Sequence, residues 1–334
     1  MVQIWIWIFL TNIFIINVVV CFEPTFMQST TCKQTNVNQM RKKVAIVTGG
    51  NKGIGYAIVK GLCKDFPGDV YLTARNEELG LASIKMLNDL GFNPKFHQLD
   101  VTDERSIITL RDHILEQYGG LDVLVNNAGV GRENDLEDPS FAIETIQVNY
   151  FGVRKTCDVL FPILRSHARV VNLSSKLGFL FNIPSESLRE KLASKSLTGD
   201  ELDELMRKFI KSIDQNDTEL SSKWGKSAYA VSKAGVSALT RIQQREFLNN
   251  DERVDIVVNS VHPGYVDTDM TRHKGSLTTE EGAVAPLYAA SLPKNVTQPK
   301  GAFIWKNKDV VDWSDPVKER LYFSSDLHSK KNQK

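Results

Sequence analysis

Cysteine is scarce in this chain: Cys21, Cys32, Cys63 and Cys157 are the only four among 334 residues, too few to staple a chain of this length as a disulfide scaffold. None stands in a Cys-x-x-Cys pair or a Cys/His cluster, so no metal centre is expected. An excess of one charge is missing too. Lys and Arg number 41 against 40 Asp and Glu, a formal net charge of +1, which offers no basic field to a phosphate backbone and argues against nucleic acid as a partner. Internal repeats are absent. An ordinary apolar fraction then suits one large α/β domain with extra segments.

Long apolar runs are missing but for one. Ile4 to Phe22 is uncharged, rich in Ile, Val, Phe and Trp, and about long enough to cross a bilayer. Three readings stay open for it. A cleaved signal peptide lacks a basic n-region here and has only Val19-Val20-Cys21 as a mediocre cleavage site, so secretion is the weakest. An uncleaved anchor is the second: Lys33, Arg41, Lys42 and Lys43 all follow the run, and the positive-inside rule then leaves the rest of the chain facing the cytosol. Third, Met40-Arg-Lys-Lys43 stands just before the first strand, so residues 1–39 can be an extension to an otherwise complete cytoplasmic protein. A membrane is a partner only if the run is real and retained.

Past residue 43, apolar strands alternate with amphipathic helices, the pattern of a parallel sheet covered on both faces. Strands are expected at Val44–Thr48, Asp69–Ala74, Lys95–Leu99, Asp122–Asn126, Arg169–Ser174, Asp255–Ser260 and Ala302–Trp305. The expected fold is therefore α/β, a Rossmann-type doubly wound parallel sheet of about seven strands, in a single domain over residues 40–313. A charged helical insertion, about 184–224, breaks the rhythm. Within it Thr198-Gly-Asp-Glu201 has capping-box spacing, and Leu202, Leu205, Met206, Phe209 and Ile213 fall on one helical face. Residues 314–334 are polar, and a weakly ordered tail is expected over Lys318–Lys334.

Directly after Val44-Ala-Ile-Val47 comes Thr48-Gly-Gly-Asn-Lys-Gly-Ile-Gly55, a strand, a glycine turn and a helix start. Gly49, Gly53 and Gly55 lack the Cβ atoms that would keep a backbone from a pyrophosphate, and a helix amino terminus favours that anion. Asn51, Lys52 and Ile54 belong to the same turn. At the end of the second strand, where an acid would accept from the ribose 2′-OH of NAD, the chain has Thr73-Ala74-Arg75. Arg75, with Lys52 as a second cation, suits a 2′-phosphate, so NADPH/NADP is the expected cofactor. Asp100-Val101 ends the third strand where adenine would be contacted, and Asn127 stands where the ribose region passes.

Tyr229 and Lys233 are four apart in a helical stretch and project from one face. A neighbouring ammonium stabilises a tyrosinate and brings proton transfer into range. Ser175 ends the strand Val170–Ser174 at the carboxyl edge, where Rossmann-type ligands bind, and is placed to hydrogen-bond a carbonyl oxygen; Ser174 is the weaker candidate. Asn149 falls mid-helix, where Asn has poor propensity, and is expected to hold water or a backbone carbonyl.

Residues 42 to about 313 resemble the short-chain dehydrogenase/reductase family, and more closely its carbonyl reductase subgroup. The likeness rests on Thr-Gly-Gly-Asn-Lys-Gly-Ile-Gly, Tyr71-Leu-Thr-Ala-Arg75, Phe96-His-Gln-Leu-Asp100, Tyr118-Gly-Gly-Leu-Asp-Val-Leu-Val-Asn-Asn-Ala-Gly129 and the insertion before Tyr229. The resemblance implies Tyr229 as proton donor, Lys233 lowering its pKa and binding ribose, Ser175 orienting the carbonyl and Asn149 holding a relay water. Pro263-Gly264, Val266 and Thr268 match the stretch along the nicotinamide. It also implies a monomer, because the insertion covers the outer face of the catalytic helix. Where the subgroup often has cysteines this chain has Val261-His262, and a lone loop histidine is given no catalytic role.

The expected function is NADPH-dependent reduction of aldehydes, ketones or quinones. Two rivals are a non-catalytic NADPH-binding regulatory protein and a hydroxysteroid-type alcohol dehydrogenase of the same fold. The first predicts damage at Tyr229, Lys233 or Ser175, and the second an NAD preference that Arg75 opposes. Of the sequons Asn172-Leu-Ser174, Asn216-Asp-Thr218 and Asn295-Val-Thr297, the first falls in a buried strand with no room for a glycan.

Overall fold

A strand buried on both faces shows water no polar side, and Val44, Ala45, Ile46 and Val47 are all fully buried. They belong to β1 (Lys43–Val47), at the centre of a sheet whose other parallel strands are β2 (Gly68–Ala74), β3 (Lys95–Gln98), β4 (Leu121–Asn126), β5 (Leu164–Leu173), β6 (Val257–Val261) and β7 (Phe303–Ile304). The computed structural model describes residues 42–249 and 253–315, all within one compact unit. The strand order β3-β2-β1-β4-β5-β6-β7 reverses direction between β1 and β4, the switch point at whose carboxyl ends sheets of this kind bind ligands.

Three features depart from the expected strands. An eighth, β8 (Val310–Val311), pairs antiparallel with β7 through a tight turn in which the Lys308 N–H donates to Trp305 O at 2.7 Å. Two residues are too few for an alternating pattern to reveal them. The fifth strand begins at Leu164, five residues earlier than expected, because its start pairs irregularly with Leu121 before regular register sets in at Val123. The sixth begins at Val257, since Asp255 has φ 59° and cannot continue a strand. The apolar run Ile4–Phe22 and the tail Lys318–Lys334 lie outside the described residues. Among the described residues no helix is long and apolar enough to cross a membrane.

One sheet face is covered by α1 (Gly53–Asp65), α2 (Glu77–Asp89) and α10 (Thr279–Ala290). The other carries α3 (Glu104–Tyr118), α4 (Pro139–Ile146), α5 (Gly152–Leu160) and α9 (Ala228–Leu248). The insertion adds α6 (Glu186–Ala193), α7 (Gly199–Asp214) and α8 (Thr218–Ser222). Its capping box forms as expected: the Glu201 N–H donates to Thr198 Oγ1 at 3.2 Å and the Thr198 N–H to Glu201 Oε2 at 2.9 Å. Leu202, Leu205, Met206 and Phe209 are buried and Ile213 half-buried, packing α7 onto α4 and α9. At ~1.5–3 kcal/mol for each large apolar side chain, that face is what fixes the insertion. The Asn172 side chain is fully buried and donates to Thr240 Oγ1 and Gln243 Oε1, which leaves no path for a glycan.

Charge holds the amino-terminal end of β6. Arg169 of β5 is buried, and its guanidinium donates to the Leu292 carbonyl at 3.0 Å, the Asp255 carbonyl at 2.8 Å and Asp255 Oδ2 at 3.0 Å. That carboxylate also accepts from the Asn295 N–H at 2.7 Å and lies 3.2 Å from Lys300 Nζ. Burial pushes the Asp255 carboxyl up, but the Asn295 N–H, His167 and Arg169 outweigh it and hold the group well below the usual carboxylate range. Replacing Asp255 by Asn leaves a buried guanidinium short of its counter-charge and is expected to destabilise the fold by ~3–5 kcal/mol in urea unfolding at neutral pH. Because the folded pKa is depressed, the contribution is present above an ordinary carboxylate value of about 3.9 and is lost as pH falls through the folded value. The gap between parent and variant should therefore narrow in acid, and a neutral-pH loss below about 1 kcal/mol would contradict the assignment.

Candidate active site

The glycine turn leaves β1 with Gly49 at φ 61° and enters α1 with Gly53 at φ 57°, conformations that favour glycine. Thr48 Oγ1 accepts from the N–H groups of Asn127 and Ala128, both at 3.0 Å, and Asn127 Nδ2 donates to the carbonyls of Thr48 and Gly49, both at 2.9 Å. A Cβ at Gly55 would fall 2.3 Å from Gly49 O and 2.4 Å from Asn127 Nδ2, so only glycine allows the helix to start this close to the turn. Asn51 O accepts from Ser83 Oγ at 2.7 Å, and Ile54 is half-buried beneath the turn. Among the described residues no side chain caps the amino terminus of α1. Those free N–H groups, in a cradle that side chains would fill, fit a dinucleotide pyrophosphate.

The remaining candidates line the same edge. Arg75 follows β2, exposed and without an ion pair among the described residues. Asp100 follows β3, its Oδ1 accepting from the Thr102 N–H at 2.9 Å, and Val101 is buried beside it. Beyond β6 come Pro263, Gly264 at φ 98°, the buried Val266 and Thr268, whose methyl would lie 3.3 Å from a Cβ on Gly53. Lys52 is not free as Arg75 is: its Nζ pairs with Asp269 Oδ2 at 2.8 Å, an exposed bridge from the glycine turn to the loop after Thr268.

Tyr229 and Lys233 lie one turn apart in α9, with Lys233 Nζ 5.5 Å from the tyrosine ring centre. The ammonium donates to Leu173 O, at the end of β5, at 2.7 Å. Ser175 Oγ accepts from the Leu177 N–H at 3.2 Å and stands beside the Tyr229 phenol. Burial pushes the Tyr229 phenol up to about 12, against the opposing pull of the Ser175 hydroxyl, and pushes the Lys233 ammonium down to about 8. The expected lowering of the phenol by Lys233 is therefore not what burial produces in the chain by itself. Desolvation penalises both charged forms, and the phenol keeps its proton at neutral pH. Ser174 faces the other way, where its Oγ donates to Lys233 O at 3.0 Å and meets Ser237 Oγ at 2.8 Å, tying β5 to α9.

Asn149 sits in a π-helical turn, Gln147–Phe151, rather than in regular helix. Its amide donates to Val130 O at 2.8 Å and Ser232 Oγ at 3.1 Å, while its oxygen accepts from the Val130 N–H at 2.8 Å. Of the two expected partners, water or backbone carbonyl, the side chain takes the carbonyl. His262 is buried against Trp305, with Nδ1 accepting from the Lys176 N–H at 3.3 Å, in keeping with a structural role. Two residues of the site escaped sequence reasoning. Gly131 lies so close to Tyr229 that a Cβ would fall 2.6 Å from the ring, and Asp135, buried, sends its carboxylate to the first turn of α9. Neither stands in a spacing that announces it; both meet Tyr229 only in space.

A family model described as short chain dehydrogenase matches residues 43–187 and 218–278, and the unmatched stretch between them is most of the insertion. Over 276 residues the chain is 45% identical to carbonyl reductase (NADPH) 3 of Rattus norvegicus, covering 81% of this chain and 98% of that one. It is 42% identical over 275 residues to carbonyl reductase (NADPH) 1 of Homo sapiens, with the same two coverages. Among solved structures it is similar to salutaridine reductase from Papaver somniferum, with 32% identity, a TM-score of 0.71 and coverage of 78% and 99%. A short chain dehydrogenase from Burkholderia cenocepacia in complex with NADP is 26% identical, with a TM-score of 0.58 and coverage of 80% and 97%.

The phenol's environment can be tested without any substrate. The ultraviolet difference between the parent protein and Tyr229→Phe is expected to show no tyrosinate up to the ordinary phenol value of about pH 10. A tyrosinate signal below that value would mean that burial does not govern this group.

Proposed function

The chain belongs to the short chain dehydrogenase family, and from that premise we propose that it reduces aldehydes, ketones or quinones to alcohols with NADPH. The observation that carries this is the corner where a half-buried, protonated Tyr229 phenol meets Ser175 and Lys233 at the carboxyl edge of the sheet, beside a glycine turn whose helix amino terminus is uncapped among the described residues. When bound, the reduced nicotinamide supplies the hydride. The chain's own residues orient the substrate and deliver the proton. Ser175 Oγ donates a hydrogen bond to the carbonyl oxygen, and the Tyr229 hydroxyl gives that oxygen its proton as negative charge develops there. Lys233, buried and anchored on Leu173 O, holds a positive charge near the phenol that offsets the tyrosinate left behind. Asn149 secures the loop that faces them through Val130, and the water relay expected of it belongs to this proposal as well.

In this reading the pyrophosphate lies along Gly49, Asn51, Gly53, Ile54 and Gly55. Asp100 and Val101 flank adenine, Asn127 the ribose region, and Pro263, Gly264, Val266 and Thr268 the nicotinamide. Arg75 takes the 2′-phosphate. Lys52 joins it by leaving Asp269, and an exposed pair of that kind costs little to open. The intact Tyr229, Lys233 and Ser175 oppose a purely regulatory protein, and Arg75 opposes an NAD-linked alcohol dehydrogenase. The packing of α7 over α4 and α9 supports a monomer, and the cations after Ile4–Phe22 support a cytosolic reductase unit.

NADPH oxidation by the purified protein, offered a quinone, an aromatic aldehyde and a ketone, tests the activity. Tyr229→Phe is expected to lower kcat on the order of 10²–10⁴-fold, whereas cofactor binding with no turnover on any of the three would defeat the proposal. Cofactor choice is tested separately. Arg75→Ala removes a charge-assisted contact worth ~1.5–3 kcal/mol, so KM for NADPH should rise by about tenfold or more while KM for NADH stays within about twofold. Equal effects on both cofactors would remove Arg75 from the 2′-phosphate site.

A further inference from the structure

We propose that Asp135 is a positioning residue for the proton donor: its carboxylate seats the first turn of α9 and thereby sets where Tyr229 stands. The inference rests on the reading of Tyr229 as proton donor given above. Asp135 is 1% exposed and opens a short 3₁₀ turn, Asp135–Glu137, after Asn134 at φ 55°. Its Oδ2 accepts from the Tyr229 N–H at 2.7 Å and from Ser227 Oγ at 3.1 Å, and its Oδ1 from the Ala228 N–H at 3.1 Å. All three donors are more than ninety positions away in sequence.

A single cap would normally suffice for a helix, and α9 already has one, since Ser227 Oγ accepts from the Ala230 N–H at 3.2 Å. That cap leaves the N–H groups of Ala228 and Tyr229 without an acceptor, in a buried turn where orphaned donors are costly. Asp135 satisfies both. No Lys, Arg or His pairs with it among the described residues, so its negative charge is met by the helix amino terminus itself. The segment it ends also packs the catalytic ring from the side: Gly131 lies against Tyr229, and Val130, one residue before, is held at both its N–H and its carbonyl by Asn149. Tyr229 is thus fixed twice by one loop, at its ring by Gly131 and at its backbone by Asp135. Loss of the carboxylate frees the helix start, and a displacement of about 1 Å at a proton donor can cost about 100-fold in rate.

The test uses the full chain as parent, Asp135→Ala, Asp135→Asn, Tyr229→Phe and, as a control, Asp255→Asn, which weakens the ion pair at the amino-terminal end of β6, away from the carboxyl edge. Asp135→Ala is expected to lower kcat about 100-fold while KM for NADPH stays within about twofold, and to bring a tyrosinate signal in near the ordinary phenol value of about pH 10, where the parent shows none. Asp135→Asn keeps one acceptor oxygen and should recover part of the rate; if the alanine variant fails to fold, it carries the same two readouts. Asp255→Asn should lower the melting temperature and leave kcat unchanged, separating lost stability from lost positioning. A folded Asp135→Ala protein with kcat within about threefold of the parent and a silent phenol would overturn the proposal while leaving Tyr229 as the donor. A parent inactive on every carbonyl would instead remove the donor assignment, and an unchanged phenol titration in Asp135→Ala would then overturn the seating on its own.

Discussion

The segment that follows β4 is the constraint on which the site depends. It leaves the sheet at Asn127, whose amide closes onto the glycine turn, passes Val130, whose two peptide groups are held by Asn149, and ends at Asp135, which closes onto α9. Three elements far apart in sequence are thereby brought into one register by a loop of about ten residues. Hydrogen bonds to buried backbone groups suit such a joint because they are directional and costly to leave unmade. The loop is polar in its bonding and small at its close approaches, with Gly129 against Asn149 and Gly131 against Tyr229.

The buried charges inside that frame differ in how they are compensated. Asp255 gathers an arginine, a lysine and a backbone N–H, and its depressed pKa belongs to a locked structural pair. Among the described residues Lys233 and Tyr229 have no such partners of opposite charge. Each is pushed toward its neutral form, the amine down and the phenol up. In the function proposed above, a site that gives up a proton and then carries the resulting charge is served by this arrangement. The acid stays loaded in the resting state, and the ammonium gains most from its neighbour only when the tyrosinate exists.

Much of this was legible in sequence, and the parts that were not share a physical reason. Strand period, the glycine spacing before α1, the Tyr229–Lys233 interval and the Thr198–Glu201 capping box are local patterns, and local patterns survive in one dimension. The turning of Ser174 toward α9 likewise follows once the end of β5 is placed. By contrast β8 is two residues long, and the early start of β5 depends on irregular pairing with Leu121. Asp135, Gly131 and the Lys52–Asp269 bridge matter only through contacts spanning about ninety residues or more. Asn149 is the intermediate case: its poor helix propensity flagged it, but a π-helical turn clamping Val130 could not be read from propensity alone.

The insertion belongs to the same mechanical system. Tyr150, next to Asn149 in the π-helical turn, is buried and donates its hydroxyl to Asp203 of α7 at 2.7 Å, while Arg154 of α5 lies 3.5 Å from the other oxygen of that carboxylate. The apolar face of α7 supplies the burial, and these polar contacts fix its register on α4 and α9. A shift of α7 must therefore move Tyr150 or leave its hydroxyl unpaired, and a moved Tyr150 carries Asn149 and the Val130 clamp with it. The segment that covers α9 thus also bears on the loop that packs against Tyr229, so a change of packing in the insertion reaches the candidate site.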